Sequence, residues 1–190
     1  VMPGLIDPHS HIGVYSYPEV AANSDGNEAT NPITPQVRAM DSMNVHDPAI
    51  PRAWRGGVTP VQVLPGSANC IGGQAATVKL RYGVPVEKML IPDALKGIKM
   101  AMGENPKRVY GGRSEMPSTR MGSAALMRQA FTDARDYMEK WAQYDKSEWE
   151  GEPPEKDLKL EALADVLRGK LQPNVHCYTV GDLTTLFRIA

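Results

Sequence analysis

The chain has little of what would mark several common classes of protein. Its two cysteines, Cys70 and Cys177, stand far apart among 190 residues. That is too sparse for a disulfide framework, and both read as reduced thiols. An excess of one charge is also missing: 21 basic against 22 acidic residues leave a net charge of -1, with no electrostatic footprint for nucleic acid or a membrane surface. No apolar run approaches the ~18 residues of a membrane span. No signal peptide opens the chain and no Asn-x-Ser/Thr sequon occurs. These absences favour a cytoplasmic protein. There is no Gly-x-Gly-x-x-Gly loop either, so a nucleotide-binding α/β domain lacks its phosphate cradle.

What is present alternates between strand-like and helix-like segments. Residues 58–64 lie between Gly56-Gly57 and Pro65-Gly66 and read as a strand, with Pro60 discordant because it cannot donate to a central ladder. Residues 76–82 alternate Val78, Leu80 and Tyr82 against Thr77, Lys79 and Arg81, a short strand with one wet face. Residues 97–103 form a better buried strand, which puts Glu104 at its end and Lys99 about 16 Å toward the other end. Over 121–144, Met127, Ala130, Phe131, Ala134, Met138 and Trp141 recur at helical spacing. A charged loop over 146–156 follows, then a helix capped by Asp157 with Leu160, Leu163, Ala164 and Leu167 inward, ended by Gly169. A short strand over 174–178 carries His176, and Gly181-Asp182 starts a last helix. The alternation predicts a parallel α/β sheet or barrel. Residues 13–51, rich in Pro, Asn, Asp and Ser, read as a long excursion that forms a lid or pocket wall. His46 in that stretch reads as a solvated loop histidine.

The chemistry concentrates in Pro3-Gly4-Leu5-Ile6-Asp7-Pro8-His9-Ser10-His11. In an extended strand, side chains at i and i+2 share a face, so His9 and His11 lie side by side and can share a metal ion. This segment resembles the first barrel strand of the amidohydrolase superfamily, which ends in a His-x-His metal motif. Gly56-Gly57-Val58-Thr59, Leu64-Pro65-Gly66-Ser67-Ala68-Asn69, Gly72-Gly73-Gln74, Gly103-Glu104-Asn105-Pro106-Lys107 and Asn174-Val175-His176-Cys177-Tyr178 are similar to words of its imidazolonepropionase-like branch, in the same order.

The resemblance implies an incomplete (β/α)8 TIM barrel, roughly its first five strands, filling residues 1–190 as one catalytic domain truncated at both ends. A complete barrel takes ~250 residues. It also implies a metal site of His9, His11 and His176, with one or two divalent ions, zinc first, and leaves an open position for water. A fourth histidine from strand six and a proton-shuttling aspartate from strand eight would lie beyond Ala190. Glu104 is the candidate catalytic carboxylate, either bridging a second metal or standing as a loop carboxylate with Asn105 starting a turn; Lys99, as a carboxylated lysine, is the candidate only in a different strand register. Lys107, Arg108 and Tyr110 either hold a substrate carboxylate or face water. The expected activity, in the full-length protein, is hydrolysis of a C–N bond in a cyclic or linear small-molecule amide by a metal-activated water; the 190-residue chain by itself is expected to be inactive, because the proton-shuttling aspartate would lie outside it. The alternative is a catalytically silent barrel fragment. Nothing in the sequence specifies an oligomeric state.

Overall fold

The computed structural model describes residues 2–146 and 151–190. Of the charged loop expected over 146–156, residues 147–150 lie outside the described residues. The strands are β1 (Leu5–Ser10), β2 (Val58–Val63), β3 (Ile71–Gln74), β4 (Ala76–Lys79), β5 (Lys96–Ala101) and β6 (Leu171–His176). The helices are α1 (Ala49–Arg55), α2 (Glu104–Gly111), α3 (Arg120–Asp145), α4 (Leu158–Leu167) and α5 (Val180–Phe187).

These strands form two three-stranded sheets, β1-β2-β4 and β3-β5-β6. The expectation of wholly parallel strands is corrected here: β1 with β2 and β5 with β6 are parallel, but β4 is antiparallel to β2 and β3 to β5. Only Ala75 separates β3 from β4, so the two are one extended segment that bends and changes partner. The Ala75 N–H still donates to Gly97 O at 2.8 Å, which continues the β3–β5 ladder into the bend. It follows that β1, β2, β5 and β6 all run the same way, with this segment opposed to them. Their C-terminal ends therefore point to a common face.

Strand β3 was not expected, because Gly72-Gly73 carries no strand propensity. Close approach explains it: a Cβ on Gly73 would lie 2.6 Å from the Val37 carbonyl oxygen. The loop is thereby laid directly on the strand, with bridges Ile33↔Ile71 and Arg38↔Gln74. Pro60 sits inside β2, opposite Lys79. The β1–β2 register slips between Leu5/Asp7 and Asp7/Ser10, and these irregularities take in Pro60 on one strand and Pro8 on the other. Each proline thus falls where the ladder is already interrupted, which is how a strand tolerates a missing donor.

Two apolar clusters hold the molecule together. Val14, Ile50, Val61, Val63, Val78 and Met89 pack around the first sheet, and Ile71, Ile98, Met100, Met127, Ala134 and Leu163 around the second. The second cluster is built as the helical spacing required. Thr119 accepts from Gly122 N to cap α3, Asp157 accepts from Lys159 N and Leu160 N to cap α4, and Thr179 accepts from Asp182 N to cap α5. On α3 the buried stripe ends on Tyr137, leaving Met138 and Trp141 half-buried.

The excursion over 13–51 is more ordered than its composition suggests. It contains α1 and two short 3-10 turns, Ala21–Asn23 and Ala39–Asp41. Buried Asp47 accepts from Gly13 N and Ala49 N, each at 2.9 Å. Buried Asn69 donates to Glu28 O at 2.6 Å and Asn31 O at 2.9 Å, and accepts from Asn27 Nδ2 at 2.9 Å. Two polar side chains from outside the apolar clusters thus tie the loop to the strand ends.

Candidate metal and active site

The site grows from the last turn of β1. The His9 and His11 rings stand edge to face with centroids 5.2 Å apart, as a shared-face pair requires. His11 Nδ1 lies 2.7 Å from Leu64 O. A carbonyl oxygen only accepts, so this nitrogen carries the proton and Nε2 keeps its lone pair. That is the tautomer of a histidine able to ligate through Nε2.

His176 is the last residue of β6 and pairs with Ala101 of β5. Its Nε2 is buried and has no hydrogen-bond partner among the described residues. Tyr178 packs edge-on against its ring at 4.4 Å. A buried ring nitrogen without a partner is costly, and the cost is offset when a ligand pairs with it.

Lys99 enters this site, contrary to the expectation that it lies at the far end of its strand. β5 stops at Ala101, so Lys99 is two residues from the strand end and shares the face of Ala101. The long lysine stem covers what distance remains. Lys99 is 2% exposed and its Nζ lies 3.1 Å from His9 Nε2. His9, Lys99, Asn174 and His176, with Leu64 and Val175, line one cavity of about 170 Å³.

The electrostatics favour uncharged groups. Burial lowers the pKa of His9, and the Lys99 and His11 charges lower it further. His176 is lowered by burial and then by Lys99, and Lys99 itself by burial. Neutral imidazoles are what metal ligation needs.

Glu104 does not join this cluster. It is the first residue of α2, three positions beyond the end of β5, and its exposed side chain makes no hydrogen bond or ion pair among the described residues. The helix begins immediately after Gly103, whose φ of 75° turns the chain away from the strand direction. Buried Asp182 of α5 fixes that turn. A Cβ on Gly103 would lie 2.5 Å from Asp182 Oδ2, while Asp182 Oδ1 accepts from Arg120 Nε at 2.8 Å. His46 is exposed and packs edge-on against Tyr82 at 5.6 Å. Both cysteines are free, and burial pushes the Cys70 thiol up to about 11.

As they stand, no three His, Cys, Asp or Glu side chains among the described residues gather closely enough to hold an ion. Lys99 Nζ instead stands against His9 Nε2 at 3.1 Å. The donor chemistry nevertheless fits a divalent metal: His11 Nε2 keeps its lone pair and His176 Nε2 is buried without a partner.

No family model matches the chain. It is 40% identical over 199 residues to Amidohydrolase tasK of Hapsidospora irregularis, covering 96% of this chain and 20% of that protein. It also superposes on the crystal structure of an amidohydrolase from Thermotoga maritima MSB8 with a TM-score of 0.92 and 48% identity, over 100% of this chain and 48% of that one. The chain thus spans about half the length of the solved relative and a fifth of the curated one. Among the described residues no helix is long and apolar enough to cross a membrane. With the strand-end histidines His9, His11 and His176 and these two relatives together, the chain belongs to the amidohydrolase superfamily.

Proposed function

We propose that this chain supplies part of the active site of a metal-dependent hydrolase that cleaves the C–N bond of a small cyclic or linear amide. The observation that carries the reading is the gathering of His9, Lys99 and His176 on one cavity, with His11 packed against His9. Four co-directional strands with helices over them support the finer fold reading, an incomplete (β/α)8 barrel whose reactive groups sit at the C-terminal strand ends.

In this reading His9, His11 and His176 hold one or two divalent ions, zinc first. The metal supplies a water whose pKa falls toward ~7 and a Lewis acid for the amide carbonyl. The protein groups do the rest. The Leu64 carbonyl holds the His11 ring in its ligating tautomer. Val175 and Leu64 keep bulk water from one side of the recess. Lys99, whose pKa burial lowers, reaches its neutral form more readily than a solvent-exposed lysine; as a neutral amine it could bond CO₂ and release a proton, and the carbamate would supply an anionic oxygen ligand to the metal, as in some members of the resembling superfamily. Glu104 stays a secondary candidate, reachable only if α2 shifts.

Metal content and amide hydrolysis of the full-length protein that contains this chain test the reading. Stoichiometric zinc, with hydrolysis abolished by a chelator and by His9→Ala, His11→Ala or His176→Ala, is the expected outcome. Metal-independent hydrolysis, or a His176→Ala variant as active as the parent, refutes it. A chain that holds neither metal nor activity is the silent alternative.

A further inference from the structure

We infer that Tyr15 is a positioning residue for the metal site: it holds the His11 imidazole in its ligating orientation and is itself held by the loop that Asn69 anchors. The inference rests on the proposed hydrolase reading and adds to it the part of the chain that sets one ligand. Tyr15 stands four residues beyond His11. Gly13, with a φ of 82°, turns the chain back just past the end of β1, so that Val14 N and Tyr15 N both donate to His11 O, at 3.2 and 3.1 Å. The Tyr15 ring comes edge-on to the His11 ring, with centroids 5.8 Å apart and planes at 87°.

Two rings flank His11 among the described residues, and of these Tyr15 has its anchor outside the site. His9, with its centroid 5.2 Å away, is itself a proposed ligand, and its Nε2 faces Lys99. Tyr15 is 40% exposed, so burial alone does not fix it. Two glycines and one hydrogen bond do. A Cβ on Gly26 would overlap the edge of the Tyr15 ring, and a Cβ on Gly66 would lie 2.6 Å from the Tyr15 hydroxyl oxygen. Gly66 N donates to Gly26 O at 2.8 Å, which joins these two walls into one slot. At the end of the slot the Tyr15 hydroxyl donates to Asn27 Oδ1 at 2.7 Å, and Asn27 Nδ2 donates to Asn69 Oδ1 at 2.9 Å. Asn69 is 1% exposed. A polar chain thus runs from the buried anchor of the loop to the ring that braces His11.

The same three residues serve both rings. Leu64 supplies the carbonyl that His11 Nδ1 bonds at 2.7 Å, and Gly66, two positions on, forms the wall against the Tyr15 hydroxyl. One hydrogen bond fixes the direction of Nδ1 and leaves the ring plane free to tilt. An aromatic ring packed beside it removes that freedom, and Nε2 is then aimed. Filling the slot from its other wall, at Gly26, therefore reaches His11 through Tyr15.

The test reads the His11 ring directly. The full-length protein that contains this chain is prepared metal-free with nitrogen-15-labelled histidine, and His11 is assigned by the signals lost in His11→Gln. Long-range proton–nitrogen spectra at mildly alkaline pH give its tautomer, and competitive zinc titration gives the affinity. The wild type is expected to show His11 in the Nδ1–H tautomer alone. Tyr15→Ala removes the bracing ring and Gly26→Ala expels it; both should populate the second tautomer and weaken zinc by about tenfold or more, the range of an outer-shell partner. Tyr15→Phe keeps the ring, loses the tie to Asn27 and falls between. Tyr82→Leu, which takes the same kind of edge-on partner from exposed His46, leaves His11 as it was. A His11 tautomer and a zinc affinity unmoved in Tyr15→Ala and Gly26→Ala overturn the inference and leave the hydrolase standing, as does an equal change in Tyr82→Leu. A His11 tautomer shifted in Tyr15→Ala and Gly26→Ala, in a protein that binds no zinc, does the reverse.

Discussion

Lys99 gives the most discriminating perturbation of the metal proposal. Its Nζ lies 3.1 Å from His9 Nε2, the atom a metal would take. Zinc bonded to that nitrogen at ~2.0–2.1 Å would lie no more than about 5 Å from the lysine head. At an effective dielectric near 20, two unit charges ~4 Å apart interact by ~4 kcal/mol, and a divalent ion doubles this before solvent screening. Each unit of charge is then worth close to three decades of affinity. An ammonium opposes zinc by that amount; a carbamate, formed when the neutral amine bonds to CO₂ and a proton leaves to buffer, attracts it.

The two states give opposite expectations for Lys99→Met. In CO₂-free buffer the variant should bind zinc at least tenfold more tightly than the parent, because the opposing charge is gone. In bicarbonate the order reverses: the parent gains affinity and a second ion, and the variant does not respond. Competitive zinc titration against a chromophoric chelator reads the affinities, and a carbamate carbon signal in labelled bicarbonate reads the modification. Equal bicarbonate responses in parent and variant refute the argument, as does a parent whose zinc affinity is indifferent to both changes.

Asn69→Ala should unpin the loop over 27–34 by stripping its bonds to Asn27, Glu28 and Asn31. A loss of about 2–4 kcal/mol is expected in denaturant unfolding, with faster hydrogen exchange confined to that loop; an unchanged midpoint would remove Asn69 as the anchor. Asp182 carries a pH signature. Burial alone would raise its pKa, but the bonds from Arg120 and Thr179 outweigh burial and hold it below the usual 3.8. A folded value below the unfolded one contributes stability that is present above 3.8 and lost as pH falls through the folded value. Asp182→Asn should therefore cost roughly 1–2 kcal/mol at neutral pH, discounted for the half-exposed Arg120, and flatten the acid limb of stability against pH. An acid limb identical in both proteins would assign it to other groups.

The parts of the fold legible in the sequence are those set by local rules. α3 and α4 follow from three- and four-residue apolar spacing, and α4 from its cap at Asp157, because each of those signals acts within one turn. β3 was not legible, nor was the antiparallel direction of β4. Gly72-Gly73 forms a strand through the close approach of Val37, a residue more than thirty positions away, and no window of the sequence contains both. α1 escaped for a related reason. Its seven residues show no full helical period, and what holds it is the buried Asp47 carboxylate bonded back to Gly13.

The site divides along the same line. His9 and His11 are paired by strand geometry alone, and their rings do meet. The joining of β6 to that pair depends on long-range register, Ala101 beside His176 and Lys99 beside Asn174. A strand end misplaced by two residues is enough to put Glu104 at the site and Lys99 at the far end, as the sequence reading had it. One signal pointed the other way. Lys99 interrupts Ile98 and Met100-Ala101-Met102, all buried here, and a lysine inside such a run must find a polar partner or lose its charge. His9 and the recess beside His176 answer that need. The amine that burial sets against His9 is then also the group best placed to switch the charge of the proposed site, so in that proposal the packing problem posed by Lys99 and the control of metal binding are one problem.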